Sequence, residues 1–315
     1  MNEGRHIPVL LADVVQLLRP SPGHVFLDGT LGRGGHTAAL LAAGATVDAF
    51  DRDADAIAAT AVTLADFVTS GHLRLHRAAF ADAPRLLGEQ RYDGILLDLG
   101  VSSPQLDEAH RGFSFQANGP VSMVMDDRDA PLSERLAAVD EPALARVLRE
   151  YGDEPNARRV AQTILFGRPW AGTRALAEAV AAVAAPTRGI HRATKSFQAL
   201  RIWVNDEIGQ LERALVDLPA LLAPGGRFAV IAFHSLEDRP VKQAFHALAG
   251  VGAPTDLYGN PVVAPAFRLV ERKARKGEDR DPNPRARSAR LRVLERISSP
   301  AHSPARLPPA SPERA

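Results

Sequence analysis

The chain has 315 residues, 45% hydrophobic and 24% charged, with 38 Lys or Arg against 37 Asp or Glu and no cysteine. That composition is globular, with one large domain or two ordinary ones, and the missing cysteine excludes a disulfide scaffold, a thiolate zinc site, an iron–sulfur cluster and a cysteine nucleophile. A net charge of +1 leaves any nucleic-acid partner to be read from the distribution of charge rather than its sum.

The N-terminus reads MNEGRHIPVLLADVV; it has acids and no small-residue cleavage site, so no signal peptide is expected. No run approaches the ~18 apolar residues of a membrane span. From residue 25, short apolar runs alternate with helical stretches. Strands are expected at 25–27, 46–50, 73–76 and 92–99, and helices at 37–43, 53–67 (with Asp53 as N-cap) and 82–89. Continuous apolar strands alternating with helices imply βαβ units and a parallel sheet covered on both faces. The rhythm stops between about 107 and 196, where helices are expected at 132–139, 142–151, 156–166 and 174–185, as in an inserted domain or lid. It resumes with a helix over 196–222, a turn at Pro224-Gly225-Gly226, a strand over 227–233, a helix over 236–249 and two last strands at 267–271 and 289–295. The tail from 298 carries five prolines and is expected to be disordered.

The segment DGTLGRGGH at 28–36 follows a strand and opens a helix. Its glycines permit close backbone approach, and the helix start offers unpaired N–H groups, so the loop can cradle a polar ligand. The spacing is not G-x-G-x-x-G. An acid, Asp28, stands directly before the loop and suits an ammonium or sulfonium better than a pyrophosphate. Asp51, at the end of the next strand, is placed to hold a ribose diol. S-adenosylmethionine has both features. His36 is left open between a ligand contact and a helix-start residue.

The fourth strand runs into DLGVSSPQ at 98–105, on the carboxyl edge where such sheets bind ligands. Together with HIPVLLADVV at 6–15, FDRD at 50–53, DGILLDLGVSSPQLDEAHRGFSF at 93–115, LREYGDEPNARRVA at 148–161, KSFQALRIWVNDE at 195–207, GGRFAVIAFHSLEDRPVK at 225–242 and NPRARSARLRV at 283–293, the chain resembles the MraW-type 16S ribosomal RNA cytosine-N4 methyltransferases. The resemblance implies an α/β, Rossmann-like class I S-adenosylmethionine-dependent methyltransferase fold with an inserted all-helical domain. The methyltransferase domain would comprise 1–106 and 197–297, the helical domain for substrate recognition 107–196, and the disordered tail 298–315. It implies S-adenosyl-L-methionine as cofactor, contacted by Gly34, Gly35 and His36, by Asp51 at the ribose, by Phe80 beside adenine, and by Asp98 and Gln105 near the methionine end. It also implies 16S rRNA as partner, within the small ribosomal subunit, and a cytoplasmic enzyme with no membrane association; the oligomeric state is left open, a homodimer included. The chain departs from the family's usual G-P-L-D-M-R-M-D in reading GPVSMVMD at 119–126, with Ser122 for an acid and Val124 for an arginine, and has Arg192 for a proline.

Methyl transfer to an exocyclic amine needs alignment, acceptors for the amine hydrogens and exclusion of water, but no covalent enzyme intermediate. Asp98 and the hydroxyl and backbone groups around Ser103 and Pro104 are the candidates for catalysis. His234 and Ser235, with Glu237 and Asp238, follow the fifth strand and are candidates for the base pocket; Ser235 also reads as an N-cap with Asp238 completing a capping box. No nucleophile elbow accompanies His234 and Ser235, and the histidines lack metal-ligand spacing, so neither a hydrolase nor a metal site is expected. The polar face of 201–207 is left open between substrate and solvent. From 268 to 296 there are eleven Lys or Arg against five Asp or Glu, and Arg285, Arg287 and Arg290 are candidates for phosphate contact; the alternative is a solvated edge strand. The competing function is a non-catalytic RNA-binding or ribosome assembly factor on the same fold.

Overall fold

The computed structural model describes residues 8–297 apart from 187–188, 255, 259–260 and 278–282. The expected tail at 298–315 lies outside the described residues. Among the described residues, the strands β1 (Val25–Asp28), β2 (Thr46–Asp51), β3 (Leu73–Arg77), β4 (Tyr92–Asp98), β5 (Leu222–Ala232), β6 (Phe267–Leu269), β7 (Arg275–Lys276) and β8 (Arg290–Arg296) form one sheet. Its order is β3-β2-β1-β4-β5-β8-β6, with β7 also on β8. β1 to β5 run parallel, and β8 is antiparallel to β5, β6 and β7. The strand order reverses between β1 and β4, and the crevice above such a reversal is where open α/β sheets bind ligands.

The apolar strand runs are buried on both faces, as continuous hydrophobic stretches require. Phe26, Leu96 and Ile231 point into one core, against α1 (Leu11–Leu18), α2 (Gly35–Ala42), α3 (Ala54–Thr63) and α4 (Ala65–Thr69). Leu27, Leu97 and Val230 point into the other, against α5 (Ala83–Leu87), α12 (Glu207–Asp217) and α13 (Ser235–Leu248). Between them the chain forms α6 (Ser103–Asp107), α7 (Leu132–Ala138), α8 (Glu141–Gly152), α9 (Ala157–Phe166), α10 (Thr173–Val183) and α11 (Thr194–Asn205). α7 to α11 share a third core around Leu136, Leu148, Ile164 and Leu200.

Several expectations need correction. The expected domain boundary at 196–197 cuts through α11, whose Phe197, Leu200 and Val204 belong to the core of the inserted helices. The packing instead turns at Asp206. There the single helix expected over 196–222 breaks, because Asp206 takes the left-handed conformation (φ 49°) that Asp tolerates better than most residues. The helix expected over 53–67 breaks at Leu64, although Asp53 does cap it, accepting from Asp55 N–H. Pro224-Gly225-Gly226 is looped out of a longer strand: Leu222 pairs with Tyr92 and Arg227 with Gly94. α1, α6 and β7 were not expected. Among the described residues no helix is long and apolar enough to cross a membrane.

Candidate active site

A cleft of about 360 Å³ opens at the carboxyl ends of β1, β2, β4 and β5. The glycine loop forms its floor. Gly34 (φ 72°) caps α2, and a side chain there would press on Thr60 Cγ2 at 2.9 Å. Gly34 thus shapes the loop, while Gly35 and His36 line the cleft. A side chain at Gly35 would collide with Pro8, which closes the cleft from the N-terminal segment.

Asp28 does not face the ligand space. Its Oδ2 accepts Thr37 Oγ1–H at 2.7 Å and its Oδ1 accepts Thr30 N–H at 3.1 Å; it is buried beneath the loop, and burial raises its pKa. The reading of Asp28 as an ammonium or sulfonium partner is therefore corrected: it fastens the loop to α2. The end-of-strand carboxylates that line the cleft are Asp51 and Asp98. Asp51 accepts Gly32 N–H at 2.8 Å on Oδ2 and Asp53 N–H at 2.9 Å on Oδ1. Each oxygen keeps a second lone pair, so a diol can still be received. Burial pushes its pKa up to about 6.

Asp98 is in a different state. Its N–H donates to Thr30 Oγ1 at 2.6 Å, and its Oδ2 lies 3.6 Å from His36 Nδ1. Its Oδ1 is buried with no hydrogen-bond partner. Burial first, then the negative charges of Asp28 and Glu237, push its pKa up to about 8, and Arg285 opposes them. His36 is itself buried, with Nε2 3.1 Å from the Val9 carbonyl. That contact gives Nε2 the proton and turns Nδ1 toward Asp98.

The loop after β4 is held from below. Gln105 Oε1 accepts Ser102 N–H at 3.0 Å, completing a capping box for α6, and its Nε2 donates to Asp53 Oδ2 at 2.9 Å. Arg111 Nη2 meets the same carboxylate at 2.8 Å. Gln105 therefore lines the cleft with both ends of its amide engaged. Ser103 lines the cleft as well, whereas Pro104 does not and serves the first turn of α6. Phe80, in the turn after β3, lines the wall.

On the opposite wall stand His234 and Glu237, with Ser235 outside the lining. Ser235 is not the N-cap: His234 occupies that position, and Glu237 Oε2 accepts Phe233 N–H at 2.8 Å. His234 Nε2 is 3.1 Å from Glu237 Oε1, but neither ring nitrogen has hydrogen-bond geometry to a partner. Asp238 faces away from the cleft, toward Arg290 (2.9 Å) and Arg292 (2.7 and 3.0 Å).

The basic segment accordingly divides. Arg285 lines the cleft and donates to the Val101 carbonyl at 3.3 Å. Arg287 is exposed outside it. The charge of Arg290 is offset by Asp238. β8 is no edge strand, being paired to β5 on one side and to β6 and β7 on the other. Three arginines expected to act together thus have three different environments.

The α11–α12 junction, which the sequence left open, completes the wall with Arg201, Asn205, Glu207 and Gln210. Arg201 and Glu207 form a two-pronged pair at 2.8 Å. Asn205 joins three segments: its Nδ2 donates to Met123 O and its Oδ1 accepts Met125 N–H, both at 2.8 Å, and its carbonyl accepts Arg52 Nη1–H at 2.6 Å. Arg52 also pairs with Asp129. Met125 lines the cleft, while Ser122 and Val124, the two departures from the family pattern, do not.

A family model described as the MraW methylase family matches residues 3–297. The relatives include "Ribosomal RNA small subunit methyltransferase H" of Anaeromyxobacter sp. (strain K), 51% identical over 93% of this chain and 98% of that protein. Proteins of the same name from Parvibaculum lavamentivorans (46% identical, 94% and 91% covered) and Myxococcus xanthus (46% identical, 94% and 99% covered) also match.

Proposed function

The chain belongs to the MraW methylase family, and from that premise we propose that it methylates the exocyclic N4 of one cytidine in 16S rRNA, using S-adenosyl-L-methionine. The observation that carries this reading is the pairing, in one cleft, of an acid with lone pairs left for a diol, Asp51, and an acid with a buried, unpartnered oxygen, Asp98. Those two groups fit the ribose and the cationic amino acid end of that cofactor.

When bound, S-adenosylmethionine supplies a methyl group activated by the sulfonium. Asp51 holds the ribose hydroxyls, Phe80 packs on the adenine, and Gly35, His36 and Asp98 receive the methionine end. Gly34 and Gln105 act by fixing the two loops. The cytosine N4 is a weak nucleophile because its lone pair is conjugated with the ring, so the chain must orient it and keep water out. The backbone and hydroxyl groups of 99–103, Ser103 among them, accept the N4 hydrogens. One proton must leave N4. His234, with two buried ring nitrogens lacking hydrogen-bond partners and Glu237 beside Nε2, is placed to take it.

The inserted helices, core residues 121–204, serve RNA recognition, and the substrate is the small ribosomal subunit or its RNA in the cytoplasm. Loss of catalysis, with an assembly role in its place, would call for changes at the cleft, and the two departures from the family pattern, Ser122 and Val124, both lie outside its lining, which favours catalysis. The test is transfer of labelled methyl to small-subunit RNA with the position mapped by mass. Label on N4 of a single cytidine is expected; label on carbon 5 or on ribose, or none, refutes the proposal.

A further inference from the structure

Four arginines line the cleft: Arg33, Arg52, Arg201 and Arg285. Three of them have a carboxylate partner: Arg33 faces Glu108 at 3.7 Å, Arg52 pairs with Asp129, and Arg201 pairs with Glu207. Arg285 has none among the described residues; its guanidinium donates one hydrogen bond, to the Val101 carbonyl at 3.3 Å. A guanidinium half-buried in a cleft without a counter-charge is costly unless an anion arrives.

The position of Arg285 is built. Residues 284–288 form a 3₁₀ turn whose first N–H, that of Arg285, is accepted by Asn283 Oδ1 at 3.0 Å. Asn283 is buried before Arg285, and Ala286 and Ala289 after it belong to the core that includes α1 and α2, so the turn is anchored on both sides of Arg285. The charge it delivers acts on Asp98, yet the two do not pair. Thus one end of the cleft holds a carboxylate whose buried oxygen lacks a donor and a guanidinium that lacks an anion. A ligand carrying an ammonium and a carboxylate on one carbon satisfies both at once.

We propose that Arg285 and Asp98 together clamp the amino acid group of the methyl donor, Arg285 receiving its carboxylate and Asp98 its ammonium. This rests on the cofactor reading above and adds to it a residue from the far C-terminal segment, outside the glycine loop. It also moves Arg285 from an RNA-docking face into the cofactor site.

The experiment is calorimetry on the full-length protein with two ligands. S-adenosylhomocysteine carries the amino acid group; 5′-methylthioadenosine keeps the adenosine and the sulfur but lacks that group. Arg285→Gln should weaken S-adenosylhomocysteine roughly tenfold or more, as loss of a charge-assisted hydrogen bond does, and leave 5′-methylthioadenosine unchanged. Arg285→Lys should restore part of the loss, since it keeps the charge but not the fork. The unchanged second ligand also shows that the variant is folded. Equal loss for both ligands would overturn the proposal and make Arg285 a prop for the Val101 loop. Unchanged cofactor affinity with weaker RNA binding and a shallower salt dependence would overturn it in favour of a phosphate contact. Wild-type protein that binds neither ligand would refute the cofactor reading itself.

Discussion

Replacing Asp98 by Asn isolates a strongly perturbed carboxyl of the cleft. Its carboxyl is pushed up from 3.8 to about 8, by burial first and by Asp28 and Glu237 next. At pH 7 only roughly a tenth of the ligand-free protein then carries the Asp98 charge, and ionising the rest costs about 1.4 kcal/mol. A cationic ligand end needs that charge, so binding should release a proton, and the Asp98 contribution to affinity should rise roughly tenfold from pH 7 to pH 9. Titration calorimetry in buffers of different ionisation heat measures the release. Taking the difference between wild type and Asp98→Asn cancels the ligand's own ammonium titration. The same shift has a sign for stability. A carboxyl whose folded pKa is raised favours the folded state fully below its unfolded value near 4 and loses that contribution as pH rises through 8. The wild-type, ligand-free protein should therefore lose stability across that window, up to a ceiling of about 5 kcal/mol, and Asp98→Asn should flatten the curve. A wild-type-minus-variant affinity difference that does not change between pH 6 and 9, with equal proton release by both proteins, would refute the burial argument and the assignment with it.

Asp51→Ala should weaken cofactor binding by ~1.5–3 kcal/mol; because burial holds the Asp51 pKa near 6, wild-type affinity should also fall as pH drops below 6, and calorimetry that finds neither effect would remove the ribose assignment. Asn205→Ala strips the Met123 carbonyl and the Met125 N–H of their shared partner and should cost ~1–3 kcal/mol of stability in a denaturant titration, with a larger loss of RNA methylation than of cofactor affinity. Arg290→Gln removes one of two cations on Asp238 and should lower stability by about 1 kcal/mol or less, with the salt slope of RNA binding unchanged; a slope shallower by ~0.7–0.9 would restore Arg290 as a phosphate contact.

What the sequence made legible was what local pattern controls. Apolar runs at 25–27, 46–50 and 92–99 became buried parallel strands, because a strand covered on both faces has no polar side to disguise it. Asp51 and Asp98 were placed by the same logic, since a strand's end is fixed by where its apolar run stops. Errors arose where local pattern is silent about direction or partner. Asp28 and Asp98 both end strands, and nothing in composition says that one accepts Thr30 and Thr37 while the other faces the cleft. The 3₁₀ turn at Pro284–Ser288 brings Arg285 to the cleft while Arg290 stands on β8, a difference in direction that the charge count over 268–296 does not carry. α11 carries an apolar face that fits any core, and only long-range packing decides that it joins the inserted helices. Its boundary is then fixed by Asp206, one residue after the Asn205 that ties Met123, Met125 and Arg52 together. That tie makes the cleft a joint product of both modules: the sheet supplies Asp51 and Asp98, the loop before α7 supplies Met125, and α11 supplies part of the wall opposite. A change in how those helices seat should therefore reach the substrate side of the cleft first, since the glycine loop is fastened to α2 through Asp28.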